Sequence, residues 1–254
     1  MELENVDKVY PSPKGAVHAL QGIDLEIPSE QFLSLLGPSG CGKSTILKLV
    51  ASLEPLSGGN LRIKGAPVNG APQGMGVVFQ RDILLDWRDI LSNVLITAEF
   101  KKLDVKSYRE RARQLLEMFG LSGFEDRHPW ELSGGMRQRA AICRALLDDP
   151  ELLLMDEPFG ALDAMTRDEL NFELQRMWLE SRKTVLFITH SITEAVYLSD
   201  RVALMSRNPG RIAEVIDIDL PRPRPLSIRE TSEFGKYTAH IRDFFSDLGV
   251  FKQE

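Results

Sequence analysis

The sequence predicts an α/β fold in which a mainly parallel sheet carries helices on both faces. Three runs are nearly all apolar, as in strands that helices bury from both sides, and they lie at residues 31–36, 151–155 and 184–188. The first run leads through a glycine-rich loop into a helical pattern over residues 44–51. Short β-like runs and turn signals before residue 70 predict an additional antiparallel layer beside the main sheet.

A helical insert is predicted between residues 83 and 149. One helical face in this stretch is apolar at the spacing of successive turns, and Gly120 is placed to end the helix. That face consists of Tyr108, Ala112, Leu115, Leu116 and Phe119. The sequence therefore predicts a helical subdomain inserted into the α/β core.

The C-terminal region is predicted to be a short appendage. Residues 221–225 alternate proline and arginine, which is typical of a stiff extended linker, and an amphipathic helix follows at about residues 234–248. We therefore expect a main domain over residues 1–225 and a helical extension over residues 226–254. An extension of this size is too small for an independent regulatory domain.

The composition excludes several classes of protein. The 37 acidic and 31 basic residues give a net charge of −6 without a dense basic run, so we expect no nucleic-acid partner. Two cysteines, Cys41 and Cys143, are too few for a disulfide framework and fit a reducing compartment. No secretory signal is evident, and no apolar run approaches the roughly 20 residues that span a bilayer. If the protein serves a membrane, we expect another chain to cross it.

The loop after the first strand fits the phosphate-binding pattern G-x-x-x-x-G-K-[ST]. Its glycines let backbone N–H groups close around phosphates, and the helix N-terminus that follows favours negative charge. Lys43 is predicted to reach the β- and γ-phosphates of ATP, and Ser44 to ligate Mg²⁺. The alternative is a glycine turn with a surface lysine. The predicted ATP-binding residues of this loop are Gly37, Pro38, Ser39, Gly40, Cys41, Gly42, Lys43, Ser44 and Thr45.

Two adjacent carboxylates follow the second apolar run. Asp156 can hold Mg²⁺ through its hydration shell, and Glu157 is placed to accept a proton from an attacking water. Ligands of open α/β sheets lie beyond the carboxyl ends of the strands, where both residues are predicted. The alternative is a solvated strand end with no chemical role.

A third motif opens a predicted helix over residues 136–147. Ser133, Gly134 and Gly135 precede that helix and give a second helix N-terminus suited to an anion, although a flexible cap is the alternative. The run from Leu132 to Arg139, Leu-Ser-Gly-Gly-Met-Arg-Gln-Arg, resembles the signature motif of ATP-binding-cassette (ABC) proteins. This resemblance implies a P-loop NTPase of the ABC ATPase type, with a RecA-like core, an antiparallel β subdomain and an inserted helical subdomain.

The resemblance covers nearly the whole chain and implies roles for four more residues. Tyr10 matches the aromatic residue that stacks on adenine, and Gln80 matches the glutamine that contacts Mg²⁺ and the transport subunit. Asp163, in the run 161–163, matches the loop that bridges two ATPase subunits, and His190 matches the switch histidine that contacts the γ-phosphate. The alternatives are a core aromatic, a polar loop residue, a helix cap and a buried histidine, respectively.

In this family two ATPase subunits associate head to tail. The resemblance therefore implies a homodimer in which ATP lies between the phosphate loop of one copy and Ser133, Gly134 and Gly135 of the other. Glu157, Lys43 and His190 are implied as the catalytic residues. The implied Mg²⁺ ligands are Ser44, Gln80 and Asp156.

Within the family, four segments resemble the nitrate, sulfonate and taurine group of importers; they are residues 84–88, 156–163, 193–201 and 209–212. The implied partners are integral-membrane permease subunits and, indirectly, a periplasmic or lipoprotein solute receptor. The implied location is the cytoplasmic face of the bacterial inner membrane.

The permease is expected to dock in a groove near residues 80–93, for which Leu85, Trp87 and Ile90 are apolar candidates, although a core role is as good an interpretation for some of them. A soluble cluster-assembly ABC ATPase is the alternative to an importer. The transported substrate cannot be deduced, because the residues that touch it belong to other chains.

Overall fold

The computed structural model describes residues 1–13, 15–160 and 162–249. Within them the strands are β1 (Glu2–Tyr10), β2 (Val17–Glu26), β3 (Phe32–Leu36), β4 (Gly58–Ile63), β5 (Ala66–Pro67), β6 (Met75–Val78), β7 (Leu152–Asp156), β8 (Thr184–Thr189), β9 (Arg201–Ser206) and β10 (Arg211–Asp217). The helices are α1 (Lys43–Val50), α2 (Ile90–Phe100), α3 (Val105–Met118), α4 (Gly134–Leu146), α5 (Ala164–Ser181), α6 (Ile192–Leu198) and α7 (Ser232–Asp247). Residues 250–254 of the predicted extension lie outside the described residues.

The chain divides into two compact units. The first, here the terminal unit, combines Met1–Gln73 with Ser181–Glu254. The second, the middle unit, is Gly74–Glu180. No helix in the described part of the chain is both long and apolar enough to cross a bilayer.

The terminal unit contains two kinds of sheet. In the antiparallel sheet the strand order is β2-β1-β4-β5, and this sheet is the predicted antiparallel layer. In the other sheet β3 lies between β8 and β9 and runs parallel to both, while β10 pairs antiparallel with β9. All five residues of β3 are buried, which is why four of them are apolar. The fifth, Ser34, shares a hydrogen bond with the hydroxyl of Ser199 at 2.5 Å.

The segment before α7 is anchored and is not a free linker. Arg224 is only 1% exposed, and its guanidinium donates hydrogen bonds to the carbonyl oxygens of Val196, Tyr197 and Ser199 at 2.8–2.9 Å. These carbonyls lie at the C-terminal end of α6, where a helix has no internal donors left. The hydroxyl of Tyr197 in turn donates to the carbonyl of Arg224 at 2.7 Å. The alternating prolines of residues 221–225 predict an extended backbone, but they do not predict that Arg224 is buried.

In the middle unit β6 and β7 pair in parallel, with Val78 opposite Met155. Helices α2, α3 and α4 lie within the predicted insert and pack against one another. Helix α3 ends before Gly120, whose φ of 69° is the left-handed conformation that glycine adopts without strain. The chain thus leaves α3 where the sequence places its end.

Candidate functional site

The phosphate loop connects β3 to α1 in the terminal unit. Gly42 precedes α1 with a φ of 100°, and the first turn of the helix contains no acidic residue. The side chain of Lys43 is buried within the loop, where its ammonium donates to the carbonyl oxygens of Gly37 at 2.7 Å and Pro38 at 3.2 Å. The ammonium also lies 4.0 Å from Sγ of Cys41. A phosphate group that enters this loop therefore meets a positive helix end and an ammonium that is held by carbonyl oxygens and a thiol.

Close packing requires two glycines of this loop, Gly37 and Gly42. A Cβ atom on Gly37 would lie 2.8 Å from Sγ of Cys41, and one on Gly42 would lie 2.5 Å from Cδ2 of Leu20. A Cβ on Gly210, in the turn between β9 and β10, would overlap the carbonyl oxygen of Cys41. The loop is therefore backed by β2 and by the β9–β10 turn, which fix the direction of its N–H groups. This cradle fits a chain of phosphates.

Cys41 points into the protein, away from solvent, with 1% of its surface exposed. Burial raises the pKa of its thiol, and the nearby charge of Lys43 opposes that rise. A raised pKa reduces the thiolate fraction at neutral pH, and the thiolate is the reactive form. Cys41 is a packing residue of the loop.

Tyr10 is half-buried at the end of β1. The ammonium of Lys8 lies over its ring, 4.6 Å from the ring centroid. The ammonium also donates to Oε2 of Glu54 at 2.9 Å and to the carbonyl of Pro55 at 2.8 Å. Lys8 and Glu54 were not among the predicted site residues. The only sequence signal is a lysine set among the inward-facing apolar residues of β1.

His190 follows β8 and is exposed. Its neighbours are fixed by side-chain hydrogen bonds: the amide of Ser191 donates to Oγ1 of Thr189 at 3.0 Å, and that hydroxyl donates to Oε2 of Glu194 at 2.5 Å. Oγ of Ser191 caps α6 by accepting from the amide of Glu194 at 3.3 Å. The backbone on both sides of the histidine is therefore held in place while its ring faces solvent.

In the middle unit the parallel pairing of β6 and β7 brings two predicted residues together. Nε2 of Gln80 donates to Oε2 of Glu157 at 3.2 Å. Glu157 has a φ of 45°, in the left-handed region that is uncommon for residues other than glycine. Asp156 is the last residue of β7 and is partly exposed. Glu157 thus combines a strained backbone with a carboxylate that a glutamine holds at the end of a strand, and backbone strain of this kind is typical of functional positions.

The third motif caps a helix, as predicted. Oγ of Ser133 accepts from the amide of Met136 at 3.3 Å at the start of α4. A Cβ on Gly135 would lie 3.2 Å from Cγ2 of Thr166, so the motif lies beside the start of α5. Asp163 accepts from the amide and the hydroxyl of Thr166, at 3.0 and 2.7 Å, and these bonds lower the pKa of its carboxyl. Ala161, in the predicted bridging run, lies outside the described residues.

A loop at residues 82–89, here the Trp87 loop, leads from Gln80 to α2. Buried Asn93 holds it: Oδ1 accepts from the amide of Leu85 at 2.7 Å, and Nδ2 donates to the carbonyls of Leu85, Arg88 and Asp89 at 3.0–3.1 Å. Trp87 is 74% exposed, whereas Ile90 is fully buried and Leu85 is only partly exposed. Of the three apolar candidates, Trp87 alone presents a large open surface.

Helix α4 also holds the Trp87 loop. Arg144 donates to the carbonyls of Asp82 at 2.8 Å and Ile83 at 2.7 Å, and Nε of Arg137 pairs with the carboxylate of Asp82 at 2.9 Å. Burial lowers the pKa of Arg144, and the nearby carboxylate of Asp82 opposes that change. These contacts of Asn93, Arg137 and Arg144 were not predicted. Asn93 and Arg144 act mainly through backbone atoms, which carry no sequence signal, and the two arginines act on residues more than 50 positions away in the chain.

A glycine cradle at a helix N-terminus, with a buried lysine and a separate Ser-Gly-Gly helix cap, defines a nucleotide-binding P-loop ATPase. The family model of ABC transporters matches residues 20–160, and the chain belongs to that family. It is therefore an ATP-binding and ATP-hydrolysing subunit, and the predicted family is confirmed.

Relatives match over most of the chain. An uncharacterised ABC transporter ATP-binding protein of Methanocaldococcus jannaschii is 45% identical over 97% of this chain and 91% of its own. A taurine import ATP-binding protein of Rhizobium johnstonii is 42% identical over 89% of this chain and 88% of its own. A solved ATP-binding cassette, dimeric in a post-hydrolysis state with ADP and phosphate, is 31% identical, covers 87% of this chain and 99% of its own, and has a TM-score of 0.78. The predicted fold class is confirmed.

Proposed function

We propose that this chain is the ATPase subunit of an importer for a small anion or organic solute of the nitrate, sulfonate and taurine type. The relative named for taurine import, with which the chain aligns over most of both lengths, supports this substrate class. The membrane pathway belongs to permease subunits, and a periplasmic or lipoprotein receptor selects the solute. The chain acts at the cytoplasmic face of the membrane. The relative's name favours an importer over a soluble cluster-assembly ATPase.

In the proposed reaction water attacks the γ-phosphate of ATP in line with the departing ADP. Glu157 accepts the proton of that water, Lys43 balances charge on the phosphates, and His190 positions the γ-phosphate. Tyr10 stacks on the base. The hydroxyl, carboxylate and amide of Ser44, Asp156 and Gln80 are donors of the type that Mg²⁺ prefers, and the ion neutralises phosphate charge when bound.

The proposed active form is a homodimer. The N-terminus of α4, with Ser133, Gly134 and Gly135, is open at the surface or only partly covered, and it carries no acidic residue in its first turn. Such a helix end suits the γ-phosphate of an ATP held by a second copy. Asp163 lies beside it and is proposed to contact that copy. The dimeric cassette with ADP and phosphate supports this arrangement.

The observation that carries the proposed hydrolysis is the bond between Gln80 and Glu157. It fixes a carboxylate at the carboxyl end of β7, where catalytic groups of parallel sheets gather. The strained φ of Glu157 is consistent with a position kept for chemistry.

The test replaces Glu157 with glutamine, which keeps the size and removes the basic oxygen. Glu157→Gln should bind ATP with near-normal affinity and hydrolyse it about 10²- to 10⁴-fold more slowly. Placed at the native chromosomal locus, it should abolish uptake of labelled taurine or alkanesulfonate. Glu180→Gln, at an exposed position of α5, is the matched control. Normal turnover by Glu157→Gln would remove its assignment as base, and unchanged uptake of both solutes would remove the substrate class.

A further inference from the structure

Lys8 is a buried charge that the proposed reaction does not use. The residue is 4% exposed, on a strand whose other buried members are apolar. Placing an ammonium in such a position is costly unless partners replace its water. The partners of Lys8 therefore indicate its role.

Three groups surround this ammonium. Glu54 and the carbonyl of Pro55 accept its hydrogen bonds, at 2.9 and 2.8 Å, and the ring of Tyr10 lies 4.6 Å away by its centroid. The last distance is within the range of a cation–π interaction. One face of the Tyr10 ring is thus closed by Lys8, so a base can stack only on the opposite face.

The acceptors of Lys8 are connected to the phosphate loop through α1. Glu54 lies just beyond that helix, and its amide donates back to the carbonyl of Lys48 within α1 at 3.3 Å. Ser57 fastens the same segment to β1: its hydroxyl accepts from the amide of Val9 at 2.9 Å, and its amide donates to the carbonyl of Asp7 at 3.0 Å. The strand that ends at the aromatic ring and the helix that begins at the phosphates are therefore joined at this point.

We propose that Lys8 is a positioning residue for the nucleotide, which holds the Tyr10 ring at a fixed distance from the phosphate loop and leaves one ring face for the base. The inference rests on the proposed role of Tyr10. Glu54 fixes the ammonium, and the ammonium fixes the ring. The positive charge also draws electron density from the ring, which favours stacking of an electron-rich purine on its free face.

The test separates the base from the phosphates. Binding of ADP and of inorganic pyrophosphate to the full-length chain is measured by calorimetry, with pyrophosphate in competition against ADP. Lys8→Met should weaken ADP binding about five-fold, the factor that corresponds to roughly 1 kcal/mol. Pyrophosphate binding should change less than about two-fold, because it has no base to stack. Lys8→Arg keeps a cation over the ring and should restore most of the ADP affinity.

Further variants distinguish the possible failures. In a Tyr10→Ala background, Lys8→Met should have no additional effect on ADP, because Lys8 acts through the ring. Lys236→Met, at an exposed lysine of α7, is the matched control and should bind both ligands normally. If Lys8→Met fails to fold by circular dichroism, Lys8→Gln replaces it, since its amide can still donate to Glu54.

Three results would overturn the proposal. Equal loss of ADP and pyrophosphate binding in Lys8→Met would show a general structural role. If Lys8→Met binds ADP normally while Tyr10→Ala binds it weakly, the positioning role of Lys8 is refuted and the proposed stacking of the base on Tyr10 stands. Normal ADP binding in Tyr10→Ala would remove the base-stacking role of Tyr10, and the role of Lys8 with it.

Discussion

Replacing Arg224 with methionine should destabilise the terminal unit substantially. The variant keeps most of the side-chain volume but leaves the carbonyls of Val196, Tyr197 and Ser199 without the donor they have now. At about 1 kcal/mol for each lost hydrogen bond, the free energy of unfolding should fall by about 3 kcal/mol. Arg224 also donates to the carbonyls of Leu220 at 3.1 Å and Ile218 at 3.3 Å, and the loss of these bonds adds to the effect.

The cost of burying the Arg224 charge opposes this loss of hydrogen bonds, and it keeps the expected decrease in the free energy of unfolding at about 3 kcal/mol. Burial lowers the pKa of Arg224 to about 10, so the folded protein holds this charge at some cost, which methionine would remove. For a domain of this size, roughly 2–4 °C of melting temperature corresponds to 1 kcal/mol, so about 3 kcal/mol predicts a decrease of about 6–12 °C. Arg224→Lys should recover only part of it, since an ammonium cannot reproduce the planar set of donors.

The assay is thermal unfolding followed by circular dichroism, together with hydrogen exchange of the amides in α6. Arg242→Met, at an exposed arginine of α7, is the matched control. Exchange in α6 should accelerate in Arg224→Met and not in the control. A melting temperature within about 2 °C of the control, with unchanged exchange, would refute the reasoning that this guanidinium holds the end of α6.

The remaining predictions concern surface and thiol chemistry. Trp87→Ala should reduce uptake of labelled solute in the native cell, because the exposed indole is the largest apolar group of the Trp87 loop. Trp130→Ala removes another exposed indole of the middle unit and should leave uptake unchanged. Equal uptake in the two variants would count against docking of the permease at this loop. Alkylation of Cys41 should be slow at neutral pH and should still rise about tenfold per pH unit beyond pH ~8.5, because burial raises the pKa of its thiol above that of an ordinary cysteine. A bulky thiol reagent should inactivate the wild type and spare Cys41→Ala; inactivation of both at the same rate would move the effect to Cys143, whose burial also raises its pKa.

The parts of the fold that the sequence predicts are those that repeat a local rule. The three apolar runs became β3, β7 and β8, because strands covered on both sides consist mainly of apolar residues. The phosphate loop was predictable because the spacing of its glycines before a lysine and a serine is a local pattern. The contacts of Gly37 with Met205 and of Gly42 with Leu20 were not predictable, because those partners are distant in the chain. Ser133 likewise caps a helix that begins beside it.

The parts that were missed depend on partners distant in the chain. Lys8 pairs with Glu54, and the sequence around each residue gives no sign of the other as its partner. The run at residues 221–225 has the composition of a linker, but the unsatisfied carbonyls that attract Arg224 belong to α6. Ile90 and Trp87 are both apolar, and the sequence alone does not distinguish them. The capping of α2 and the hydrogen bonds of Asn93 place Ile90 in the core and leave Trp87 exposed.

The bonds between α4 and the Trp87 loop have a mechanical consequence. Arg137 and Arg144 attach Asp82 and Ile83 to the body of a helix whose first turn is capped by Ser133. These bonds make the first turn of α4 and the loop that carries Trp87 parts of one bonded assembly within the middle unit. If the cap of α4 meets the phosphate of a second copy's ATP, as proposed, a displacement of that cap would be passed through the two arginines to the exposed indole.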